Sequence, residues 1–327
     1  MTTQSQTGLV ETAAAAPTVG TPRHHIIIFF TLLVLLLLAP FVLYPVFVMK
    51  VLCFALFASA LNLLLGFGGL LSFGHAAFFG SASYVAAHAA KVWGLNPEIA
   101  ILLGVGAAAL LGLGIGVLAI RRQGIYFAMV TLAFAQMVYF IAVQAPFTGG
   151  EDGIQAVPRG KLFGLIDLSS DLTLYFVVLA IVVAALLGIY RIIHSPFGQV
   201  LKAIRDNEPR SISLGYKVDR YKLAVFVMSA TLAGLAGATK AIVFQLSSLT
   251  DVYWSMSGEV VLMTLLGGMG TVFGPLVGAA VIVTMESYLA GFGAWVTVIQ
   301  GVIFVASVML FREGIVGVIA KWLKKPL

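Results

Sequence analysis

Charged residues and cysteine are scarce in this chain of 327 residues. Only 10% of its residues are Asp, Glu, Lys or Arg, and its one cysteine, Cys53, lies in an apolar run. One cysteine supports neither a disulfide framework nor a cysteine-based metal site, so redox chemistry is not supported. We expect no metal and no cofactor. The nucleotide-binding pattern GxxxxGK[ST] and any plausible Ser, His and Asp set are also missing. We therefore predict that the chain is not an enzyme, and nothing indicates a nucleic-acid partner.

Apolar residues, in contrast, make up 61% of the chain, and its mean hydropathy is +1.06. One soluble core could not bury so much apolar surface, so the composition indicates an integral membrane protein. A helix needs about 20 residues to cross a bilayer. The apolar runs predict an all-α polytopic fold of about ten transmembrane helices (eight to ten), near 26–44, 47–65, 72–91, 98–120, 124–144, 172–193, 221–245, 257–270, 274–290 and 294–312.

The distribution of basic residues predicts the orientation. If the N-terminus is inside, fourteen of the nineteen Lys and Arg residues fall on the inner side, and only Lys91, Arg159 and Lys161 fall in outer loops. Basic residues accumulate in cytoplasmic loops, so both termini are expected in the cytoplasm of a prokaryotic cell, with the chain in its plasma (inner) membrane. Residues 1–25 read as a disordered tail, 26–312 as the transmembrane domain and 313–327 as a basic cytoplasmic tail.

The segment 194–222 carries six Lys or Arg and three Asp or Glu residues between two long apolar runs. One interpretation is a loop that sets topology and contacts anionic lipid headgroups. The other is a docking element for a protein. Ser195-Pro196 is typical of a helix start, Pro209 predicts a break, and Gly215 predicts a helix end in the left-handed conformation.

An apolar stripe within this segment, made by Val200, Leu201 and Ile204, favours the docking interpretation. A purely electrostatic loop needs neither a stripe nor helix-boundary residues. We therefore predict two short amphipathic helices that lie along the membrane and present a surface to a protein partner.

Glycine recurs in two similar stretches, each after a Leu-Leu pair and before an Ala-containing apolar run. Such duplication indicates an internal repeat with glycine-interrupted helices, which often line a transport pathway, or glycines that simply allow tight packing. Two further stripes of small residues predict close helix contacts, or less readily a sliding interface. The two glycine-rich stretches contain Gly66, Gly68, Gly69 and Gly74, and Gly267, Gly268, Gly270 and Gly274. The two stripes are Gly104, Ala108, Gly112 and Gly116, and Ser229, Ala233 and Gly237.

Ionisable residues within spans are costly, so Lys240, Glu259 and Glu286 are expected to be paired or functional. Lys240 could extend to the interface or pair with Asp251 or Glu259. His75 could hydrogen-bond a neighbouring helix or contact substrate. Candidates for lining a weakly polar pathway are Asn62, Ser72, His75, Thr131, Gln136 and Glu259.

Four stretches together resemble one family. They are LNLLLGFGGLLSFGHAAFFG (61–80), TGGEDGI (148–154), SPFGQVLKAIRDNE with LGYKVDRYKLAVFVMSATLAGLAG (195–237), and GEVVLMTLLGGMGTVFGPLVGA (258–279). This pattern is similar to the LivM-type permease subunits of branched-chain amino acid ABC importers, over residues from about 45 to 315.

The resemblance implies a membrane subunit that pairs with a second related permease, is driven by two cytoplasmic ATPase subunits and receives substrate from a periplasmic binding protein. It also implies an ATPase-coupling loop carrying Arg205, Asp206, Asn207, Glu208, Ser211 and Gly215. One departure is Pro209-Arg210-Ser211-Ile212-Ser213, where the family usually has small Ala residues.

Alternatives remain open for the cargo and for the energy source. Related permeases carry urea, short amides or aromatic acids, and leucine-type amino acids are the default expectation. A secondary transporter driven by an ion gradient needs acidic residues near the middle of the membrane. The predicted spans of the first half contain no mid-span Asp or Glu, which favours an ATP-driven permease.

Overall fold

The computed structural model describes residues 23–293, 295–310 and 314–322, and it is predominantly helical. Most of the predicted disordered tail, residues 1–22, lies outside the described residues. The α-helices are α1 (Arg23–Val42), α2 (Pro45–Asn62), α3 (His75–Lys91), α4 (Pro97–Ala119), α5 (Ile125–Gln144), α6 (Asp171–His194), α7 (Pro196–Asp206), α8 (Glu208–Ser213), α9 (Val218–Phe244), α10 (Trp254–Gly267), α11 (Gly274–Leu289), α12 (Trp295–Leu310) and α13 (Gly314–Trp322).

The ten predicted spans correspond to α1 to α6 and α9 to α12, which confirms an all-α polytopic membrane protein. Among the described residues, five helices are long and apolar enough to cross a membrane: Pro45–Phe67, Pro97–Ala119, Ile125–Gln144, Asp171–His194 and Val218–Phe244. The first of these continues α2 through a π-helical turn, Leu63–Phe67. Four other helices in the bundle are shorter; α3 has 17 residues, α10 has 14, and α11 and α12 have 16 each.

Two pairs of short strands mark one end of the bundle. β1 (Ile154–Gln155) pairs antiparallel with β4 (Leu246–Ser247), and β2 (Lys161–Leu162) pairs antiparallel with β3 (Ile166–Asp167). We call this end the strand face, and the opposite end, which carries α7 and α8, the loop face. The helices α1 to α6 and α9 to α12 alternate in direction between the two faces.

Basic residues divide between these faces as the sequence predicted. Lys91, Arg159 and Lys161 all belong to the strand face; the ammonium of Lys91 donates to the carbonyl of Gln155 at 2.7 Å, and Arg159 forms an ion pair with Asp171 at 2.7 Å. Which face meets the cytoplasm stays a prediction.

Helix α2 forms the centre of the bundle. Its side chains from Leu52 to Asn62 are all buried, and the helix packs against α6, α9, α10 and α11. The rings of Phe57 on α2 and Phe79 on α3 stack with centroids 4.4 Å apart. A helix that is apolar on every side, as α2 is, requires such surroundings.

Helices α4 and α9 pack closely through the predicted small-residue stripe of α4, whereas Gly237 of the predicted stripe on α9 lies against Phe79 on α3. Gly104, Ala108, Gly112 and Gly116 are all buried. A Cβ atom added to Gly112 would lie 2.5 Å from the Cβ of Ala230 on α9. This confirms the prediction that the stripe serves close contact between helices within the chain.

Two ion pairs account for most of the ionisable residues within spans. Lys240 pairs with Asp251 at 2.6 Å, which selects one of its two predicted partners, and Lys50 pairs with Glu286 at 3.6 Å. Glu259 is half-buried and interacts electrostatically with both Glu286 and Lys50.

The predicted basic tail contains a further element that the charge pattern did not indicate. Residues Gly314–Trp322 form α13, and Val316 is buried against the bundle. A Cβ atom at Gly314 would approach the Cα of Gly268 to 2.3 Å, so the tail packs on the glycine-rich segment after α10.

Candidate functional site

The basic loop folds as the two short helices that its sequence predicted. Ser195 caps α7, since its hydroxyl accepts the amide of Gly198 at 3.3 Å, and Pro196 occupies the first helical turn. Leu201 and Ile204 of the apolar stripe are buried, so this side of α7 packs onto the membrane domain. The hydrophobic contact holds α7 flat against the loop face.

Side-chain hydrogen bonds attach α8 to the rest of the molecule. The side chain of Asn207 caps α8 by accepting the amide of Arg210 at 3.0 Å. The Glu208 carboxylate accepts from the ammonium of Lys222 on α9 at 2.7 Å and from the amide of Gln123 at 3.2 Å. Ser211 is buried and its hydroxyl donates to the carbonyl of Asn207.

The end of α8 has the predicted left-handed turn. Gly215 has φ +87°, and the amides of Gly215 and Tyr216 donate to the carbonyls of Ile212 and Ser211 at 2.9 and 3.2 Å. These two bonds form a Schellman motif. The turn leaves Ile212 57% and Leu214 69% exposed, two apolar side chains directed away from the bundle.

The break between the two helices differs slightly from the prediction. We expected Pro209 to force it, but the helices separate at Asn207, and Pro209 lies in the first turn of α8. Proline is tolerated there because the amides of the first turn have no partner within the helix.

The two glycine-rich breaks, one after α2 and one after α10, contact each other at the loop face. A Cβ atom at Gly66 would lie 2.5 Å from the nitrogen of Gly270. The Asn62 side chain joins them, because its amide donates to the carbonyl of Thr271 and its oxygen accepts the amide of Gly270, both at 2.8 Å. We call Asn62, Gly66, Gly270 and Thr271 the break junction.

The length of α10 explains why the break junction needs these hydrogen bonds. Fourteen residues span about 21 Å, whereas the hydrocarbon core of a bilayer is about 30 Å thick. Helix α10 alone is therefore too short to cross that core, so the irregular backbone beside it must cover part of the depth. Irregular backbone at that depth must be satisfied by protein groups, and the amide of Asn62 does so.

Arg205 connects the loop to the break junction. Its Nη1 donates to the carbonyl of Gly66 at 2.5 Å, and Nε and Nη2 donate to Asp206 at 3.2 and 3.1 Å. One turn earlier on α7, the ammonium of Lys202 lies 5.6 Å from the centre of the Phe67 ring. The loop and the break are thus in direct contact.

Most of the predicted pathway residues are buried and hydrogen-bonded within the chain. Nε2 of His75 lies 2.8 Å from the hydroxyl of Ser229, as expected for a bond to a neighbouring helix. Ser72 accepts the amide of Gly74, and Thr131 accepts the amide of Phe73, both at 3.2 Å. Gln136 is half-buried on α5. A pathway role for these residues stays a prediction.

Several contacts of the site were not indicated by the sequence. Lys222 and Gln123 hold α8, and Thr271 completes the break junction, yet the sequence predicted none of these three contacts. The position of Arg205 on the last turn of an amphipathic helix marked it as a candidate residue of the loop. Its partner Gly66, 139 residues away along the chain, could not be predicted. Such contacts follow from tertiary packing.

Comparison with known proteins agrees with this arrangement. Residues 45–308 match the family model described as branched-chain amino acid transport system / permease component. The chain is 29% identical over 278 residues to the high-affinity branched-chain amino acid transport system permease protein LivM of Escherichia coli (strain K12) and to that of Salmonella typhimurium, covering 78% of this chain and 65% of each relative. It therefore spans about two thirds of the length of those relatives.

A more distant similarity links the chain to a sugar permease. The ribose import permease protein RbsC of Bacillus subtilis (strain 168) is 26% identical over 244 residues, which cover 68% of this chain and 70% of that protein. No solved structure matches the chain. The family model spans most of the sequence, including both glycine-rich breaks and the basic loop, and the chain belongs to the permease-component family of branched-chain amino acid transport systems.

Proposed function

We propose that this chain is one membrane subunit of an ATP-driven importer in the prokaryotic plasma membrane, forming half of a translocation pathway for branched-chain, leucine-type amino acids. The loop face is cytoplasmic in this proposal, and ATP is hydrolysed by two separate ATPase subunits. A substrate-binding protein delivers the amino acid at the strand face.

The construction of the loop carries the proposal. Two capped helices are fastened to the bundle by buried side chains and by the pair between Glu208 and Lys222. They present exposed Ile212 and Leu214 beyond the membrane domain. A loop that only contacted lipid headgroups would need basic residues alone, whereas fixed apolar side chains at a helix end suit a cleft in a protein partner.

One face of α5 supports pairing with a second permease subunit. Met129, Met137 and Phe140 are exposed on this face, and the half-buried Gln136 lies among them. The opposite side of α5 packs against α3, α4 and α10. We propose that the exposed face meets the corresponding helix of the partner permease, and that Gln136 contributes polarity to the pathway between them.

The cargo is proposed from the relatives. LivM and the probable LivH permease of Methanocaldococcus jannaschii are both named for branched-chain amino acids. The LivH permease is 29% identical over 162 residues, which cover 46% of this chain and 51% of that protein. RbsC is named for ribose. The cargo in the names therefore differs between these relatives, and the binding protein is the component expected to select it.

The experiment that tests the proposal is reconstitution in proteoliposomes with the partner permease, the ATPases and the binding protein. We expect ATP-dependent uptake of labelled leucine. Leu214→Glu should release the ATPases and abolish uptake, because it places a charge in an apolar contact. Leu165→Glu is the matched control for ATPase retention, measured by co-purification of the ATPases, since Leu165 is 87% exposed in an apolar hairpin tip on the strand face, away from the proposed ATPase contact.

Two outcomes would overturn the proposal. Uptake by the chain alone under a proton or sodium gradient, without any ATPase, would make it a secondary transporter. Retention of the ATPases and normal uptake by Leu214→Glu would make the loop a membrane-contacting segment.

A further inference from the structure

The Gly66 carbonyl has an unusual hydrogen-bond donor. In an unbroken α-helix it would accept the amide of Leu70. Here the amide of Leu70 donates to Leu64 at 3.2 Å, and Gly66 instead accepts Nη1 of Arg205 at 2.5 Å. Arg205 thus replaces a backbone donor at the point where α2 is broken.

The side chain of Arg205 also lies against the rest of the two breaks. A Cβ atom at Gly69 would be 2.7 Å from Cγ of Arg205, and one at Gly270 would be 3.9 Å from its Nη1. Gly66 and Gly270 are themselves in contact, and Asn62 bonds to the second break. One side chain of the loop therefore reaches the ends of both α2 and α10.

Hydrogen bonds fix Arg205 at the end of α7, close to the start of α8. Asp206 accepts two hydrogen bonds from the guanidinium and so directs it. Asn207, the next residue, caps α8, so only one residue separates α7 from α8. A short, hydrogen-bonded connection therefore joins Arg205 to α8.

We propose that Arg205 is a positioning residue that ties the basic loop to the break junction, so that displacement of α7 by a docked ATPase separates the ends of α2 and α10 at the loop face. This inference rests on the proposed function, because the displacement requires an ATPase partner. Substrate does not contact Arg205 in this role.

The test compares Arg205→Gln with Arg220→Gln in the assembled complex. Arg220 is exposed in the first turn of α9, so its replacement removes the same charge from the same face without touching the break junction. Stimulation of ATP hydrolysis by the substrate-loaded binding protein should fall at least fivefold in Arg205→Gln and persist in Arg220→Gln.

Hydrogen exchange on the same samples separates a coupling role from a folding defect. In Arg205→Gln, peptides covering residues 64–71 and 266–273 should exchange faster, while peptides from the middle of α9 keep wild-type rates. Faster exchange throughout the chain would mean that the variant unfolds the domain, and would overturn the proposal.

Normal stimulation in Arg205→Gln would also overturn it, whether or not exchange at the breaks changes. That result would leave the proposed function standing, because the wild-type complex would still import substrate with ATP. If the wild-type complex itself shows no ATP-dependent uptake, the proposed function fails and the coupling role of Arg205 fails with it.

Discussion

At the scale of single residues, the pair between Lys240 and Asp251 holds the strand face together. Their side chains are only 11% and 3% exposed, and the Asp251 carboxylate also accepts the amide of Ser248 at 3.3 Å. Asp251 thereby fixes the turn that follows β4. Because both charges are removed from water, each depends on the other for its stabilisation.

We predict that Lys240→Met destabilises the protein by about 3–5 kcal/mol, since it leaves the Asp251 carboxylate buried without its cation. Adding Asp251→Asn should recover part of that loss because the uncompensated charge is then gone. Thermal unfolding in detergent measures both, with Lys217→Met on the exposed loop as control. A Lys240→Met protein as stable as the wild type would contradict the prediction.

The partner of Lys240 could be predicted from the sequence only in part. The sequence left three possibilities for Lys240, namely extension to the interface or a pair with Asp251 or Glu259, and distance along the chain could not choose among them. The choice depends on the turn after α9, where Gln245 adopts a left-handed conformation with φ +56° and reverses the chain direction. No feature of the local sequence requires that conformation of a glutamine.

At the scale of elements, the contact between α4 and α9 depends on the absence of side-chain volume. Gly112 has no space for a Cβ beside Ala230, whereas a Cβ at Gly114, two residues further along α4, meets nothing within 4 Å. The two glycines thus belong to opposite sides of one helix, and only the first serves close packing.

Gly112→Leu should therefore cost about 1–3 kcal/mol through overpacking. Gly114→Leu should be neutral or stabilising by up to about 1 kcal/mol, because leucine has a higher helix propensity than glycine. Comparing the two unfolding temperatures in the same detergent removes any common effect of added apolar volume. Equal effects would show that the Gly112 side of α4 does not pack closely against α9.

Element boundaries were largely predictable, and element contacts were not. Ser195-Pro196 and Gly215 predicted where α7 begins and where the turn after α8 lies, because capping and left-handed turns depend on neighbouring residues. The similar glycine spacing predicted two breaks. That Gly66 and Gly270 touch depends on how α2 and α10 pack, which local residues do not determine.

At the scale of the whole molecule, the orientation can be tested with single cysteines. Ser170 on the strand face and Ser213 on α8 are both exposed, and the native Cys53 is buried and so contributes little background. A cysteine at Ser170 should react with an impermeant reagent on intact cells, and one at Ser213 only after permeabilisation. The reverse pattern would place the loop face outside, where no ATPase can reach it.

The break junction has a consequence for the synthesis of the protein. Asn62 bonds to Gly270, which lies 208 positions later in the chain, and at about 5–20 residues per second the ribosome needs on the order of 10–40 s to make that distance. Throughout this interval α2 is in the membrane with its asparagine unsatisfied by its final partner. The central helix of the bundle therefore completes its folding only after α10 has been inserted, and a chain truncated before Gly270 should be recognised by membrane quality control as unfinished.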